Sequence, residues 1–388
     1  MNWPVIKLRD LQQKKRGSLD PSKNSDEIFT LYSIPAYDMG EPQILRGNEI
    51  GSSKQLVSNG DVLISKIVPH IRRAWVVDDS YGHRQIASGE WIVFNSEKIL
   101  PVFFRQFLLS DVFHRKFMTT VAGVGGSLLR AQPRLVADFN FSLPPLAEQQ
   151  RIAAVLDTAD RILKQRESAI AKLDQLVQSV FFNMFGDLVN NLNNWQVVKL
   201  NDACLIKAQY GAGLSAVEFN ASLPRYVRIT DINEDGFLNE KVVSPSGSKS
   251  DWQDYFLNDG DILFARSGAT VGKAYLHSNQ IHQCIFAGYL IRFVPNKKLM
   301  TSEFLYALTK SEFYKKWVKA KQNAVAQPNI NANQYGNELV FPLPPITLQE
   351  EFTNFYKKIK SFKEVELLAS IKHNQLQSSL QHQSFAVN

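Results

Sequence analysis

The chain has 388 residues, 44% of them hydrophobic, and a formal net charge of +7 with an isoelectric point near 9.1. This length predicts two or three domains, and no apolar run reaches the roughly 18 residues of a membrane-spanning helix. Two cysteines exclude a disulfide framework, and the start shows no charged-then-apolar leader, so we expect a cytoplasmic protein. The basic charge favours a polyanionic partner such as nucleic acid, but only weakly.

The first part of the chain predicts a mixed α/β domain. Turn residues in the motif NGDVLI (59–64) precede an apolar strand, and further β-rich runs lie at 75–77 and 91–94. Residues 102–117 have the periodicity of a helix. We assign this first domain to residues 1–143.

The pattern changes at the two prolines of residues 144–145, which fit the first turn of a helix. After them, apolar residues recur in alternating steps of three and four, the heptad seam of a coiled coil. Gly186 is a plausible end for this helix, which we assign to residues 144–186. The predicted seam consists of Ile152, Val155, Ala159, Ile162, Ala169, Leu173, Leu176 and Val180.

The second half of the chain repeats the first at an offset close to 200 residues. NGDVLI at 59–64 returns as DGDILF at 259–264, and LPPL at 143–146 returns as LPPI at 343–346. A period this long indicates a duplicated domain-plus-helix unit, since solenoid repeats run to about 50 residues.

The duplication sets the remaining boundaries. We assign a second mixed domain to residues 187–343, with a strand at 290–293 and a helix at 302–319, and a second long helix to 344–388. Two long helices with apolar faces need partners, and packing them against each other favours an antiparallel pair. We therefore predict an α+β fold of two tandem mixed α/β domains, joined and followed by long helices in a pseudo-twofold antiparallel coiled coil. The residues assigned to helix packing or partner docking are Ile152, Val155, Leu156, Ile162, Leu163, Leu173, Leu176, Phe352, Phe355, Ile359, Phe362 and Leu376.

We find no catalytic motif in the sequence. No Asp or Glu is followed two residues later by Lys, which excludes half of the common metal-dependent nuclease site, and the methyltransferase motif with Pro-Pro before an aromatic residue is missing. The segment GATVGKA (268–274) has one residue too few for a phosphate-binding loop, so we interpret it as a tight loop after a strand. The spacing of His277, His282 and Cys284 matches no zinc site, and we interpret Cys204 as buried.

Two polar stretches occur at equivalent places in both halves. One follows the Gly-Asp strand and the other precedes the long helix. Arg, Gln and Asn can read base edges in the major groove, while Lys and Arg also neutralise phosphates. The candidate DNA-binding residues are Lys66, His70, Arg72, Arg73, Ser127, Arg130, Gln132 and Arg134 in the first half, and Arg266, Ser267, Lys273, Gln322, Asn323, Gln327 and Asn329 in the second.

The segment LPPLAEQQRIAAVLD (143–157), followed by heptads into FFNMFGD (181–187), resembles the central conserved region of type I restriction–modification specificity (S) subunits. The strands after each Gly-Asp turn resemble the middles of their target-recognition domains, and the resemblance covers essentially the whole chain. The second copy departs from the pattern at Leu348, where Glu is expected.

The resemblance implies that each domain is a target-recognition domain that reads one half of a bipartite, gapped site in double-stranded DNA. It also implies that the helices space these domains and dock two modification subunits, which carry S-adenosylmethionine and methylate adenine. Restriction (motor nuclease) subunits that use ATP and Mg²⁺ then join the complex. The chain itself would hold no cofactor and no metal and would not be an enzyme.

Two other interpretations remain open. A stand-alone two-headed DNA-binding regulator needs no methyltransferase and should not leave apolar helix surface exposed. Leu156, Leu163, Ile170 and Val177 widen the apolar face of the first helix, which favours partner docking. A restriction nuclease or a fused methyltransferase would need the catalytic motifs that we do not find.

Overall fold

The structure is a computed structural model and describes residues 3–12, 16–123, 129–233, 236–278, 280–322 and 328–385. It divides into two compact units, unit 1 with Met1–Glu167 and Leu368–Asn388, and unit 2 with Ser168–Leu367. No helix of the described ranges is long and apolar enough to cross a membrane.

Unit 1 combines two larger sheets with short helices. Its helices are α1 (Ile34–Met39), α2 (Pro101–Leu109), α3 (Asp111–Met118), α4 (Pro133–Ala137) and the first part of α5 (Leu146–Phe185). Its strands are β1 (Val5–Lys7), β2 (Ser18–Leu19), β3 (Ile28–Tyr32), β4 (Gln43–Arg46), β5 (Lys54–Leu56), β6 (Val62–Ser65), β7 (Ala74–Val76), β8 (Arg84–Ala87), β9 (Trp91–Phe94), β10 (Val121–Ala122), β11 (Arg130–Ala131) and β12 (Asn140–Ser142).

The strands of unit 1 form a five-stranded sheet in the order β2-β5-β8-β3-β4 and a three-stranded sheet in the order β7-β6-β9. Two further strand pairs in unit 1 are β1–β12 and β10–β11. Most of these pairs are antiparallel, but β3 and β8 run parallel.

Unit 2 repeats part of this plan. Its helices are α6 (Lys249–Trp252), α7 (Ser302–Leu308), α8 (Glu312–Gln322) and the first part of α9 (Ile346–Phe385). Its strands are β13 (Val197–Lys199), β14 (Cys204–Tyr210), β15 (Ala216–Glu218), β16 (Arg225–Val227), β17 (Val243–Pro245), β18 (Ile262–Ala265), β19 (Ala274–Leu276), β20 (Cys284–Phe286), β21 (Leu290–Pro295) and β22 (Val340–Pro342). A four-stranded sheet in the order β14-β21-β18-β19 is accompanied by the pairs β13–β22, β15–β17 and β16–β20.

The repeated strands pair in the same register in both units. Val62 pairs with Val76 and Phe94, as Ile262 pairs with Leu276 and Phe293. Before each strand a glycine in the left-handed region, Gly60 or Gly260, makes the turn that the sequence predicts. The repeat inferred from the sequence therefore corresponds to two copies of the same strand pairing.

Each predicted helix before the second polar stretch is in fact two helices. The predicted helix at 102–117 breaks at Ser110, whose hydroxyl accepts a hydrogen bond from the N–H of Phe113 and caps α3. The predicted helix at 302–319 also breaks, and the hydroxyl of Ser311 accepts from the N–H of Tyr314 at 3.4 Å. Hydrophobic periodicity alone cannot distinguish a serine that caps a new helix from a polar residue within one continuous helix.

An aromatic core joins each sheet to the long helices within its own unit. In unit 1, Phe385 near the end of α9 lies 5.6 Å from Phe103 and 5.5 Å from Phe107 of α2, measured between ring centroids. In unit 2, Phe185 at the end of α5 lies 5.0 Å from Phe304 of α7 and 5.4 Å from Phe352 of α9. Buried aromatic rings stabilise each unit through the apolar area that they remove from water. Edge-to-face pairs among them add a favourable ring geometry.

The long helices run antiparallel within each unit. In unit 2, Asp174 of α5 forms an ion pair of 2.7 Å with Lys363 of α9, whereas Phe181, later on α5, packs on the earlier Phe352. In unit 1, Nε2 of His373 lies 2.8 Å from the carbonyl oxygen of Ala159, whereas Phe385, later on α9, shares a core cluster with the earlier Ile152 of α5. The antiparallel pairing expected from the sequence is present in both units.

A buried glutamine anchors the first turn of each long helix. Gln149 accepts the N–H of Leu100 at 2.7 Å and donates to the carbonyl oxygens of Lys98 and Pro144, both at 2.9 Å. Gln349 makes the equivalent bonds to Thr301, Leu299 and Pro344. Both side chains are fully buried, so each amide satisfies three backbone groups that water cannot reach.

Gln349→Glu should lower the free energy of unfolding by several kcal/mol, because two buried carbonyl groups lose their donors and a charge is buried. A carboxylate has no N–H for the carbonyl oxygens of Leu299 and Pro344. Urea unfolding at neutral pH measures the loss, and lower pH should reduce it because a protonated Glu can donate again.

The matched control for this substitution is Gln375→Glu, which makes the same chemical change at an exposed position of the same helix. It should change the free energy of unfolding by less than about 0.5 kcal/mol. Equal effects of the two substitutions would contradict the role assigned to Gln349.

Candidate DNA interface

In each unit, a hairpin loop follows the Gly-Asp strand at the same end of the sheet. Residues 66–73 join β6 to β7, and residues 266–273 join β18 to β19. The segment 268–274, which resembles a phosphate-binding loop, is therefore part of a hairpin connection, as the sequence predicts. The candidate residues of the first polar stretch lie on these two loops.

The structure brings the second polar stretch against the same loop. In unit 1, the N–H of Ala131 donates to the carbonyl oxygen of Lys66 at 2.8 Å. In unit 2, the N–H of Ile330 donates to the carbonyl oxygen of Arg266, also at 2.8 Å. Isolated bridges pair Ile67 with Arg130 and Ser267 with Asn329. Two stretches about 60 residues apart in sequence thus form one polar surface in each unit.

In the loop of unit 1, Arg72 is held by a neighbouring acid, and the other polar side chains differ in exposure. Nη2 of Arg72 lies 2.6 Å from Oδ1 of Asp111, and Nη1 donates to the carbonyl oxygen of Leu109. His70, Gln132 and Arg134 are exposed and Lys66 is partly exposed. Burial lowers the pKa of the neighbouring His114, and the charges of Arg72 and His70 lower it further while Asp111 opposes them.

Arg73 is placed differently from the sequence-based expectation. Its side chain is only 9% exposed and forms a two-bond ion pair with Asp38 of α1, at 2.7 and 2.9 Å. The hydrogen bond from Arg73 lowers the pKa of the Asp38 carboxyl. This arginine holds the loop to α1 and does not present its guanidinium to a ligand, so we withdraw it from the candidate set.

Arg130 is also engaged inside unit 1. Its Nε and Nη2 donate to the two carboxylate oxygens of Glu90, at 3.3 and 3.2 Å. Both side chains remain partly exposed. The carboxylate therefore occupies the Nε–Nη2 edge of the guanidinium.

The corresponding surface of unit 2 has different chemistry. Arg266 lies over the ring of Tyr210, 4.7 Å from its centroid, and its Nε donates to Oδ1 of Asn329 at 3.5 Å. Asn329 is exposed, whereas Ser267, Lys273 and Gln322 are partly buried. Three further candidates, Ser127, Asn323 and Gln327, lie outside the residues that the structure describes.

Sequence reasoning missed two tyrosines at this surface. Tyr210 is 40% exposed and Tyr289 is 63% exposed, and the carbonyl oxygen of Tyr289 accepts the N–H of Arg266 at 3.1 Å. In unit 1, Glu90 takes the place of Tyr289, because its carbonyl oxygen accepts the N–H of Lys66 at 2.9 Å. The repeat alignment could have found this exchange, since both residues immediately precede an apolar strand.

The residues assigned to helix packing separate into buried and exposed groups. Ile152, Leu156 and Phe352 are buried. A second group is partly buried and consists of Ile162, Leu163, Leu173, Phe355 and Ile359. A third group is between 42% and 63% exposed and consists of Val155, Leu176, Phe362 and Leu376.

The exposed residues Val155 and Leu176 show that the predicted seam of α5 is misplaced. Along α5 the buried stripe uses Leu156, Ile170 and Val177, which we had expected to widen the face for a partner. A strict heptad assumes 3.5 residues per turn, whereas a straight helix has 3.6, so the contact line drifts by one position. Val155 and Leu176 lie outside this seam.

The cysteines and histidines offer no reactive or metal-binding site among the described residues. No group of three or more His, Cys, Asp or Glu side chains there is placed to hold a metal ion. Burial lowers the pKa of His277 to about 4, and its Nδ1 lies 3.2 Å from the hydroxyl of Tyr275. Burial raises the pKa of Cys204 to about 12 and of Cys284 to about 11, although Cys204 is only partly buried by exposed area.

Comparison with known families identifies both halves of the chain. The type I restriction modification DNA specificity domain matches residues 1–172 and again residues 193–373. The chain belongs to this family. The two matched segments are two DNA specificity domains, one for each copy of the internal repeat.

Individual relatives are distant. The type I restriction enzyme MjaVIII specificity subunit of Methanocaldococcus jannaschii is 21% identical over 258 residues, covering 62% of this chain and 60% of that protein. The match thus spans less than two thirds of this curated relative.

Two solved structures have the same fold. The type-I restriction-modification S subunit from M. genitalium has a TM-score of 0.61 at 12% identity, covering 100% of this chain and 97% of that one. A chain from work on complex assembly and conformational transition of the type I R-M system has a TM-score of 0.56 at 18% identity, covering 99% and 97%. At these identities the likeness concerns the fold, and it confirms the predicted fold class of two mixed α/β domains with long helices.

Glu90→Gln should strengthen binding of the specificity chain to DNA by a few fold at low salt. The substitution removes a negative charge from the surface and releases the Nε and Nη2 donors of Arg130. If Arg130 then takes up a phosphate, the slope of log K against log salt should steepen by about 0.9. Titration of labelled duplex DNA at several salt concentrations measures both quantities.

Glu97→Gln provides the control, because this exposed acid lies beyond the other end of β9 from Glu90. It should leave the salt slope unchanged. An unchanged slope for Glu90→Gln as well would place Arg130 outside the DNA contact.

Proposed function

We propose that this chain directs a type I restriction–modification complex to a bipartite, gapped site in double-stranded DNA. Each specificity domain reads one half of the site, and the long helices dock two modification subunits. The modification subunits bind S-adenosylmethionine and methylate adenine, and restriction subunits add ATP- and Mg²⁺-dependent cleavage. The chain itself supplies recognition and no catalytic group.

The observation that carries this proposal is the repeated polar surface. In both units the same two stretches are tied together by the same backbone hydrogen bond at the same end of a sheet of identical register. Two copies of one framework with different side chains suit a protein that reads two different short sequences. Arg, Asn and Gln at these positions are the side chains that recognise base edges.

Partner docking on the helices is supported by their exposed apolar residues. Phe362, Val365, Leu368 and Leu376 of α9 are each more than half exposed. A protein without partners rarely leaves such a series on one helix, and exposed apolar surface of this kind marks interaction sites. This favours a complex over a stand-alone DNA-binding regulator.

The test is a methylation map of DNA from cells that express this chain together with its modification subunit. We expect a gapped two-part motif with N6-methyladenine in both halves, which disappears when this chain is deleted. A motif that persists without the chain, or no gapped motif at all, would overturn the proposal.

Exchange of residues 1–143 for the equivalent domain of another specificity subunit should change one half of the motif and leave the other half and the gap as they were. The physical reason is that unit 1 has its own core and its own polar surface. The same methylation map provides the measurement. A change in both halves would contradict independent reading by the two domains.

Phe362→Ser should weaken binding of the modification subunit by roughly tenfold or more, as loss of an aromatic interface residue commonly does. The free energy of unfolding of the isolated chain should change by less than about 0.5 kcal/mol, because the side chain is exposed. Co-purification and titration calorimetry measure the binding. Gln375→Ala on the same helix is the control, and equal affinity of both variants would exclude Phe362 from the docking surface.

A further inference from the structure

Arg266 in unit 2 is held through both its backbone and its side chain. Its backbone N–H donates to the carbonyl oxygen of Tyr289 at 3.1 Å, and its carbonyl oxygen accepts from Ile330 at 2.8 Å. The guanidinium carbon lies 4.7 Å from the centroid of the Tyr210 ring, and Nε donates to Oδ1 of Asn329 at 3.5 Å. The ring and the amide therefore hold the side chain in position before any ligand arrives.

Tyr210, which supports the guanidinium, is itself fixed by two further segments. It ends β14, where it pairs with Ile291 of β21. Its hydroxyl accepts the N–H of Ala332 at 3.1 Å. A ring held by a strand and by the segment just after the second polar stretch is a fixed support, so the arginine loses little side-chain entropy on binding.

Among the described residues, neither Nη1 nor Nη2 of Arg266 has a hydrogen-bond partner, although Nε is engaged by Asn329. Two parallel N–H donors on one planar group match the O6 and N7 acceptors of guanine in the major groove. Lysine offers a single point charge and cannot reproduce this two-bond geometry.

We propose that Arg266 reads a guanine in the half-site contacted by unit 2, with Tyr210 and Asn329 as its positioning residues. This inference rests on the proposed function and adds to it the identity of one target base. Unit 1 lacks the arrangement, because Lys66 takes the position of Arg266 and Arg130 is engaged by Glu90. The two half-sites should therefore differ at this position.

The experiment compares methylation maps for wild-type chain, Arg266→Lys and Arg266→Ala, each expressed with the modification subunit. The domain exchange described above identifies which half-site belongs to unit 2. We expect one invariant guanine in that half, and Arg266→Lys should relax it by roughly ten- to a hundredfold, the range of a lost bidentate base contact. The other half-site should stay as in the wild type.

A binding measurement separates base reading from phosphate contact. Competition between duplexes that differ only at the guanine should show a lower ratio for Arg266→Lys, with little change in salt slope because the charge is retained. Uniform weakening on both duplexes, with the guanine preference intact, would identify a phosphate contact and overturn the proposal. Lys298→Ala is the control, since this exposed cation lies beyond the opposite end of β21 and should leave the ratio unchanged.

Tyr210→Ala tests the positioning role through the same ratio. It should lower the guanine preference although Arg266 is still present, and an unchanged ratio would exclude the ring as a support. If the wild-type chain directs no gapped motif, the proposed function fails together with this inference. If the motif appears but its unit 2 half has no invariant guanine, or if Arg266→Lys leaves that guanine strict, only this inference fails.

Discussion

A buried amide at the start of each long helix is the interaction on which the arrangement of each unit depends. Gln149 and Gln349 each satisfy one N–H and two carbonyl groups of the backbone, and an apolar side chain there would leave all three unpaired in a dry core. The bonds join the first turn of the helix to the segment that leads from the sheet into α2 or α7. They therefore attach the first turn of each 40-residue helix to its own domain.

The same sheet register then places two polar surfaces with different chemistry. β6 and β18 hold their neighbours through matching pairs, so the loops that follow them begin at the same point of the framework. The exposed side chains of these loops are not part of this hydrogen-bonded frame and can differ without cost to the core. Glu90 beside Arg130 in unit 1, and Tyr289 beside Arg266 in unit 2, are the outcome. A constant frame with different loops gives the two DNA specificity domains different polar surfaces.

The sequence alone was sufficient for the repeat, the long helices and the two polar stretches, because motif spacing and hydrophobic periodicity are local signals. It predicted α5 to begin at residue 144 and α9 at residue 344, close to the observed Leu146 and Ile346. It failed for Arg73, whose partner Asp38 lies 35 residues away, and for Tyr210, whose contact with Arg266 is made only by the folded sheet. The seam was misplaced at Val155 and Leu176, since a heptad count ignores both helical drift and the domain packed beside the helix.

The two surfaces differ in how their arginines are held, and this has a consequence for selectivity. In unit 1, Arg72, Arg73 and Arg130 are each paired with an acid, namely Asp111, Asp38 and Glu90. Such pairing orients a cation but cancels much of its field, which lowers the attraction for any DNA regardless of sequence. Arg266 in unit 2 is held by neutral groups, a tyrosine ring and an amide, so it is oriented and retains its full charge. The acids of unit 1 penalise every duplex that does not compensate them with well-placed donors.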